Sequence, residues 1–429
     1  MNRRYFLSSS AASLAGANDR VNVGLIGCGG RGRYVANFMR EAPGVEFAAT
    51  ADVYLPNAER ARQWAGSGAA AYQDFRRLLD RKDIDAVLIA TPDHWHAGAT
   101  VLACQAGKDV YVEKPLAHNV REGRAMVDAA RRHNRIVQAG MQHRSAPHYK
   151  EVQRIVQSGQ LGRVHFVRVW NYVNMAPRGI GREPDSAPPE GLDWDYYLGP
   201  APAVPFNRKR FLSTFRWFRD YSGGYITDFG THRFDTVHQV MGASAPKSVS
   251  AAGGRFYIQD AGDIPDTLQV TYEYPNFILS YESSFLSGHG MGGRAPGMKY
   301  YGMKGEWDRP NGEAYYGTNG TLICDRIGYE IFPDAKPEGK AVERIQMNTT
   351  DATKLHAARF IEAVRTRERP EADVETGHRS TTVPLLGNIA YDTGRKLQWD
   401  AGKEEITGDA DATRRLGRNA RSDWNWAKV

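Results

Sequence analysis

Periodic patterning begins at Val21, where Val21-Asn22-Val23-Gly24-Leu25-Ile26 forms an apolar run of strand length that ends in glycines. Helical spacing follows over 33–41. An apolar run over 45–51 then leads to Asp52, a helical stretch covers 57–65, and a third apolar run covers 84–90. Helix 97–106, strand 110–113, helix 120–134 and strand 136–139 continue the alternation. Short buried runs separated by helices predict a parallel sheet covered on both faces, hence a doubly wound α/β domain over 20–142.

Beyond a helix at 149–157 the pattern changes. Strand-like segments at 164–173, 267–274 and 277–285 follow, with a hairpin signal at Thr318-Asn319-Gly320-Thr321. Strands without intervening helices predict an α+β domain over 143–394 with a large, mostly antiparallel open sheet. Residues 176–205 carry repeated Pro and Gly with several aromatics, the composition of a lid or an oligomer arm. Helices are expected over 353–366 and 375–394, and 395–429 is expected to be a tail that packs on the domains.

Composition narrows the class. The 429 residues include 56 Lys plus Arg and 49 Asp plus Glu, a net charge of +7, with 41% hydrophobic and 24% charged residues. That describes a globular chain with enough apolar residues for two cores. No run approaches the roughly 18 apolar residues of a spanning helix, and no block of like charge reads as a nucleic-acid tail. Cys28, Cys104 and Cys324 are too far apart for a zinc site or a disulfide framework and are expected as buried thiols. Arg3-Arg4-Tyr5-Phe6-Leu7, followed by a short Ser/Ala/Leu run to Ala15-Gly16-Ala17, predicts a twin-arginine signal over 1–17 and a periplasmic location; the alternative is cytoplasmic.

Three clusters carry candidate chemistry. Gly27-Cys28-Gly29-Gly30-Arg31-Gly32 contains G-x-G-x-x-G between a strand and a helix, where bare backbone and a helix N-terminus can meet a pyrophosphate. Asp52, 20 residues past Gly32, ends the second strand, where a carboxylate accepts both ribose hydroxyls and repels a 2′-phosphate. NAD is therefore expected over NADP. Thr91-Pro92-Asp93-His94-Trp95-His96 and Glu113-Lys114-Pro115 end two further strands, on the edge where open α/β sheets bind ligands. A partly desolvated Lys114 there suits polarising a carbinol or carbonyl oxygen. His94 and His96, read as lying on one loop without a third ligand, point away from a metal and toward the cofactor pocket. In Gly223-Gly224-Tyr225-Ile226-Thr227-Asp228-Phe229-Gly230-Thr231-His232, Asp228 and His232 share a helix face, so a carboxylate can orient, or contact the same substrate as, an imidazole base. The same spacing suits a helix cap at Asp228 with a structural His232.

Together the glycine loop, Thr91-Pro92 with His96, Glu113-Lys114-Pro115-Leu116, and Gly223-Gly224 before Asp228, His232 and Asp235 resemble the glucose-fructose oxidoreductase, inositol dehydrogenase and rhizopine-catabolism (Gfo/Idh/MocA) family over nearly the whole chain. The resemblance implies a Rossmann domain joined to an α/β substrate domain, homodimers or homotetramers formed on the open sheet, and NAD(P)-dependent oxidation of sugars or polyols. It places Lys114, Asp228 and His232 in catalysis, with His232 as general base. Gly27, Cys28, Gly29, Gly30, Arg31, Gly32, Asp52, Thr91, Pro92, His96, Glu113 and Gln142 fall to the cofactor. His94, Trp95, Arg144, Tyr172, Trp217 and Asp235 fall to the substrate, and the rest of the run Phe215-Arg216-Trp217-Phe218 is expected to contribute to its pocket. The Arg-Arg start and the aromatic segment 170–221 resemble exported bacterial members. Export would favour an alternative, a redox-neutral hydrolase, lyase or epimerase that recycles tightly bound NAD. A second alternative is a non-catalytic NAD-binding sensor.

Overall fold

The computed structural model describes residues 20–288, 310–334, 345–347 and 351–421; the twin-arginine-like start lies outside them. Strands β1 (Val21–Ile26), β2 (Val45–Ala51), β3 (Ala70–Tyr72), β4 (Ala86–Ile89), β5 (Asp109–Val112) and β6 (Val137–Ala139) form a parallel sheet in the order β3-β2-β1-β4-β5-β6. All residues of β4, β5 and β6 are buried, as strands covered on both faces require. The order reverses between β1 and β4, so a crevice opens at their carboxyl ends, and the glycine turn and Thr91 sit there. Helix Ala352–Thr366 returns from the far end of the chain to this domain. Its Ala357, Phe360 and Ile361 share a core with Val23, Leu25 and Val35, so the domain is not one continuous stretch of sequence.

Among the described residues ten strands build the second sheet: β7 (Phe166–Tyr172), β8 (Ser248–Gly254), β9 (Thr267–Glu273), β10 (Ile278–Ser284), β11 (Asn311–Tyr316), β12 (Gly320–Cys324), β13 (Gly328–Pro333), β14 (Ile345–Met347), β15 (Leu397–Asp400) and β16 (Glu405–Thr407). Every pairing is antiparallel except β7 with β10. Helices Pro147–Gln157, Tyr225–Met241 and Val374–Thr393 share one core with this sheet, where Tyr149, Phe234 and Leu386 meet Val167, Val169, Tyr272 and Tyr281. Strand β8 escapes sequence reading because Ser-Val-Ser-Ala-Ala-Gly-Gly has little strand propensity; pairing with β9 and β15 imposes the conformation. The expected tail is also more than a tail. Residues 397–407 add β15 and β16 to the sheet, and only beyond them does the chain return to the first domain, where Arg418 pairs with Glu122 at 2.6 Å.

The Pro/Gly-rich, aromatic stretch and its continuation cover the crevice. Leu55 donates its N–H to Gly191 O and Asp193 donates to Val53 O, stitching this segment to the end of β2. Tyr197, Phe206, Phe211, Phe215, Phe218 and Tyr221 form a separate small core that Val53 and Tyr54 join.

Candidate active site

The cofactor end of the crevice is shaped by missing side chains. At Gly27 (φ +86°) a Cβ would lie 2.6 Å from the Ala90 backbone, and at Gly32 it would lie 2.2 Å from Gly27 O, so strand, turn and helix close only with glycine at these positions. Gly29 and Gly30 instead face open space, with nothing within 4 Å of an added Cβ. Helix Gly30–Met39 starts there and turns its unpaired N–H groups toward that space. Asp52 accepts from Cys28 N (2.8 Å) and Tyr54 N (2.9 Å) and from the Asn57 side chain, so acceptor capacity remains on the carboxylate. Burial pushes its carboxyl up to about 6, against these backbone bonds and the Asn57 side chain. A bare turn, a helix N-terminus and a diol-accepting carboxylate along one cleft of about 480 Å³ fit a dinucleotide. The Cys28 thiol itself is buried under the turn, and burial raises its pKa.

Between the two ends, Arg31 pairs with Glu113 at 2.7 Å and ties the glycine turn to the Glu-Lys-Pro turn. His96 is buried, with Nδ1 2.7 Å from Pro115 O and Nε2 2.9 Å from Thr91 O, and so clamps the ends of β4 and β5 together. Thr91, Pro92, His96, Glu113 and Lys114 all line the cleft.

At the other end the two domains meet. Lys114 Nζ lies 2.6 Å from Asp228 Oδ1 and 2.9 Å from Asp228 O, using two of its three donors. Arg216 Nε approaches the same Oδ1 at 3.1 Å. Although burial opposes the charge, Lys114 and Arg216 outweigh it and hold the Asp228 carboxyl well below the usual carboxylate range. His232, one turn further along helix Tyr225–Met241, is 4% exposed, and its Nδ1 is buried without a partner. Burial, then Lys114, His143, Arg326 and Arg31, push its pKa far down, so the imidazole is neutral.

Several expected site residues lie elsewhere. His94 and His96 are not on a loop: Pro92 caps a helix that starts at Asp93, earlier than the periodicity indicates, and alternate side chains of its first turn point in different directions. His94 turns away from the cleft and bonds Tyr197 O at 2.9 Å, whereas Trp95 bonds the same carbonyl yet also lines the cleft. Arg144 and Asp235 pair with each other at 2.8 Å; Asp235 is fully buried and Arg144 borders a different groove. Tyr172 shares its side of β7 with Arg168, while Val167 and Val169, of the opposite parity, face the helices; a period of two therefore sends Tyr172 to the far face of the sheet. Trp217 packs with Phe285 and Tyr225 outside the cleft wall. Gln142 is buried with Oε1 unpartnered and lies outside that wall. Phe215 and Arg216, expected as pocket contributors, do line the cleft; sequence reading misses Phe211 and Tyr197, which also line it, and His143, which stacks on His232. The only sequence signal for them is their position within the aromatic segment or next to Gln142.

Known proteins agree with this architecture. Residues 21–141 match the family model described as "Oxidoreductase family, NAD-binding Rossmann fold", and residues 146–281 with 321–426 match "Oxidoreductase family, C-terminal alpha/beta domain". An uncharacterized oxidoreductase of Bacillus subtilis, YrbE, is 26% identical over 382 residues, 88% of this chain and 92% of that protein. The scyllo-inositol 2-dehydrogenase (NAD(+)) of the same organism is 22% identical over 396 residues, 91% of this chain and 99% of that protein. Among solved structures, levoglucosan dehydrogenase in complex with NADH superimposes with a TM-score of 0.67 at 18% identity, covering 88% of this chain and 99% of that one. With both domain models matched in sequence order and the same two-domain fold around one crevice, the chain belongs to the Gfo/Idh/MocA family of oxidoreductases.

Proposed function

We propose that the protein is an NAD-dependent dehydrogenase of a sugar, polyol or sugar derivative, oxidising a C–OH to a carbonyl. The observation that carries this reading is the pairing of Lys114, on the cleft wall, with Asp228 at 2.6 Å, and the neutral His232 one helical turn beyond Asp228, Asp228 and His232 both lying behind the wall rather than on it. Bound NAD would accept a hydride from the carbinol carbon. Lys114, held by Asp228, donates its remaining N–H to the substrate oxygen and stabilises the negative charge that develops on it. His232, neutral, accepts the hydroxyl proton. Asp52 selects NAD over NADP, because a 2′-phosphate beside its carboxylate would be repelled.

Relatives support the substrate class: levoglucosan dehydrogenase has been solved with NADH and levoglucosan, and WlbA of Bordetella pertussis with NADH and UDP-GlcNAcA. The test pairs Lys114→Ala with His232→Ala. Each should lower turnover by about 10²-fold or more while NAD still binds; unchanged turnover in both would remove the assignment. A redox-neutral reaction on retained NAD draws support from the aromatic wall of Tyr197, Phe211 and Phe215 over the cleft. Stoichiometric NAD that survives purification and does not exchange would favour it.

A further inference from the structure

His232 lacks the partner that usually orients a catalytic imidazole. Neither ring nitrogen makes a hydrogen bond among the described residues, and the Asp228 carboxylate one turn away is occupied by Lys114 and Arg216. What touches the ring is another imidazole. His143 lies parallel to it, with centroids 4.8 Å apart and planes at 24°, and also stacks on Tyr149 at 4.8 Å and 21°. Tyr149 is anchored in turn: its hydroxyl accepts from Arg233 Nη1 at 2.9 Å, and Arg233 pairs with Glu313 at 2.9 Å, both fully buried.

The hydrogen bonds of His143 fix its proton. Arg326 Nε, which can only donate, lies 3.2 Å from His143 Nε2, so that nitrogen must be the acceptor. Nδ1 therefore carries the hydrogen and donates to Thr236 Oγ1 at 3.2 Å. The Thr236 hydroxyl is free to accept, because its own hydrogen goes to the backbone oxygen of His232 at 2.9 Å. A continuous path thus runs from Arg326 through His143 and Thr236 to the backbone of His232, alongside the direct contact of the two rings.

We infer that His143, locked as the neutral Nδ1–H tautomer between Arg326 and Thr236, is a positioning residue that holds the His232 ring in its working orientation by stacking, in place of a hydrogen-bonded carboxylate. The role of that orientation rests on His232 being the base. Neutrality matters for such a platform, because a charged His143 would set a cation against the imidazole that must collect a proton. Burial first and Arg326 second keep His143 in the neutral form.

The test uses ¹⁵N-histidine-labelled full-length protein and reads ring tautomers by NMR, which needs no substrate. In the wild type, His143 should show a protonated Nδ1 and a bare Nε2 at neutral pH, and His232 a single ring environment. His143→Ala should split or broaden the His232 ring signal, and His143→Phe, which keeps the stack and loses the hydrogen bonds, should restore one environment. A wild-type His143 protonated at Nε2, or a His232 signal unchanged in His143→Ala, would overturn the inference; the first result requires no variant to fold. With a sugar that the wild type oxidises, His143→Ala should lower kcat about tenfold or more with the KM for NAD within about twofold, and His143→Phe should recover most of it. Full turnover in His232→Ala would defeat the base assignment while leaving the tautomer result standing. Lost turnover in His232→Ala with normal kcat in His143→Ala would defeat the positioning role alone.

Discussion

Asp52 and Asp228 show two buried carboxylates driven in opposite directions by their neighbours. Asp228 has two cations within about a hydrogen bond's length, which outweigh burial and hold its carboxyl well below the usual carboxylate range. Asp52 has only N–H donors, and burial wins, which raises its carboxyl to about 6. Because NAD's ribose hydroxyls need an ionised acceptor, binding should be complete above neutrality and should weaken as pH falls through 6. Linkage gives about a tenfold loss by pH 5, readable by titrating NAD into the protein at pH 8 and pH 5. Asp52→Asn should remove that pH dependence along with most of the proposed discrimination against NADP. Arg216, with 30% side-chain exposure at the cleft, acts on Asp228 from the short 3-10 turn Leu212–Trp217 in the segment that covers the cleft. Arg216→Gln should lower kcat by about tenfold, through a less firmly held Lys114, and leave NAD affinity unchanged in the same titration.

At the scale of elements, the glycine turn separates folding from binding. Gly32 is required by the approach of helix to strand, so Gly32→Ala should cost about 3 kcal/mol in denaturant unfolding. Gly29 has no protein atom to meet, so Gly29→Ala should change stability by no more than about 0.5 kcal/mol yet weaken NAD about tenfold by filling the phosphate space. Equal effects of the two substitutions on unfolding would contradict this division. The turn is legible in the sequence because local spacing encodes it: β1, the glycines and the carboxylate at Asp52 lie in one short stretch. The same holds for the ends of β4 and β5. Helix Asp93–Gln105 is harder to read, since its first turn is Asp-His-Trp-His and only the cap at Pro92 marks its start. Arg144, Tyr172 and Asp235 depart from their expected places for a related reason: residue type gives their chemistry, but strand parity and a mutual ion pair decide where they point. His143 carries no signal beyond its place next to Gln142, because its role depends on Arg326 and Tyr149, the first of which comes from a distant part of the chain.

Over the whole molecule, the active-site cleft exists only while the two domains are held together. Part of that union is ionic. Arg124, on helix Val120–Arg132 of the first domain, reaches Glu375 at 2.9 Å and Glu404 at 2.5 Å in the second. Burial works against the Glu404 charge, but His378 and Arg124 more than offset it and hold the carboxyl at about 2. A depressed carboxyl contributes stability that is present above the unfolded value of about 4.3 and is lost as pH falls toward 2. Arg124→Met should therefore lower the unfolding free energy at pH 7, by about 1–2 kcal/mol, and have a smaller effect near pH 2; an equal effect at both would show that the loss is one of packing. Two domains and their order can be read from the sequence. That helix Ala352–Thr366 belongs to the first domain, and that residues 397–407 complete the second sheet, cannot, because such returns depend on tertiary pairing and leave no local pattern.

Hydride transfer from a carbinol carbon is the claim on which the functional account stands, and isotope transfer tests it most directly. The protein, loaded with NAD, is incubated with carbon-deuterated sugars and polyols, inositol and levoglucosan among them, and the nucleotide is recovered by denaturation and weighed. Dihydronicotinamide carrying one deuterium is expected from at least one of these compounds, with the transfer lost in Lys114→Ala and His232→Ala. Nucleotide that stays bound but remains unlabelled with every sugar and polyol, or label that appears equally in both variants, would contradict it.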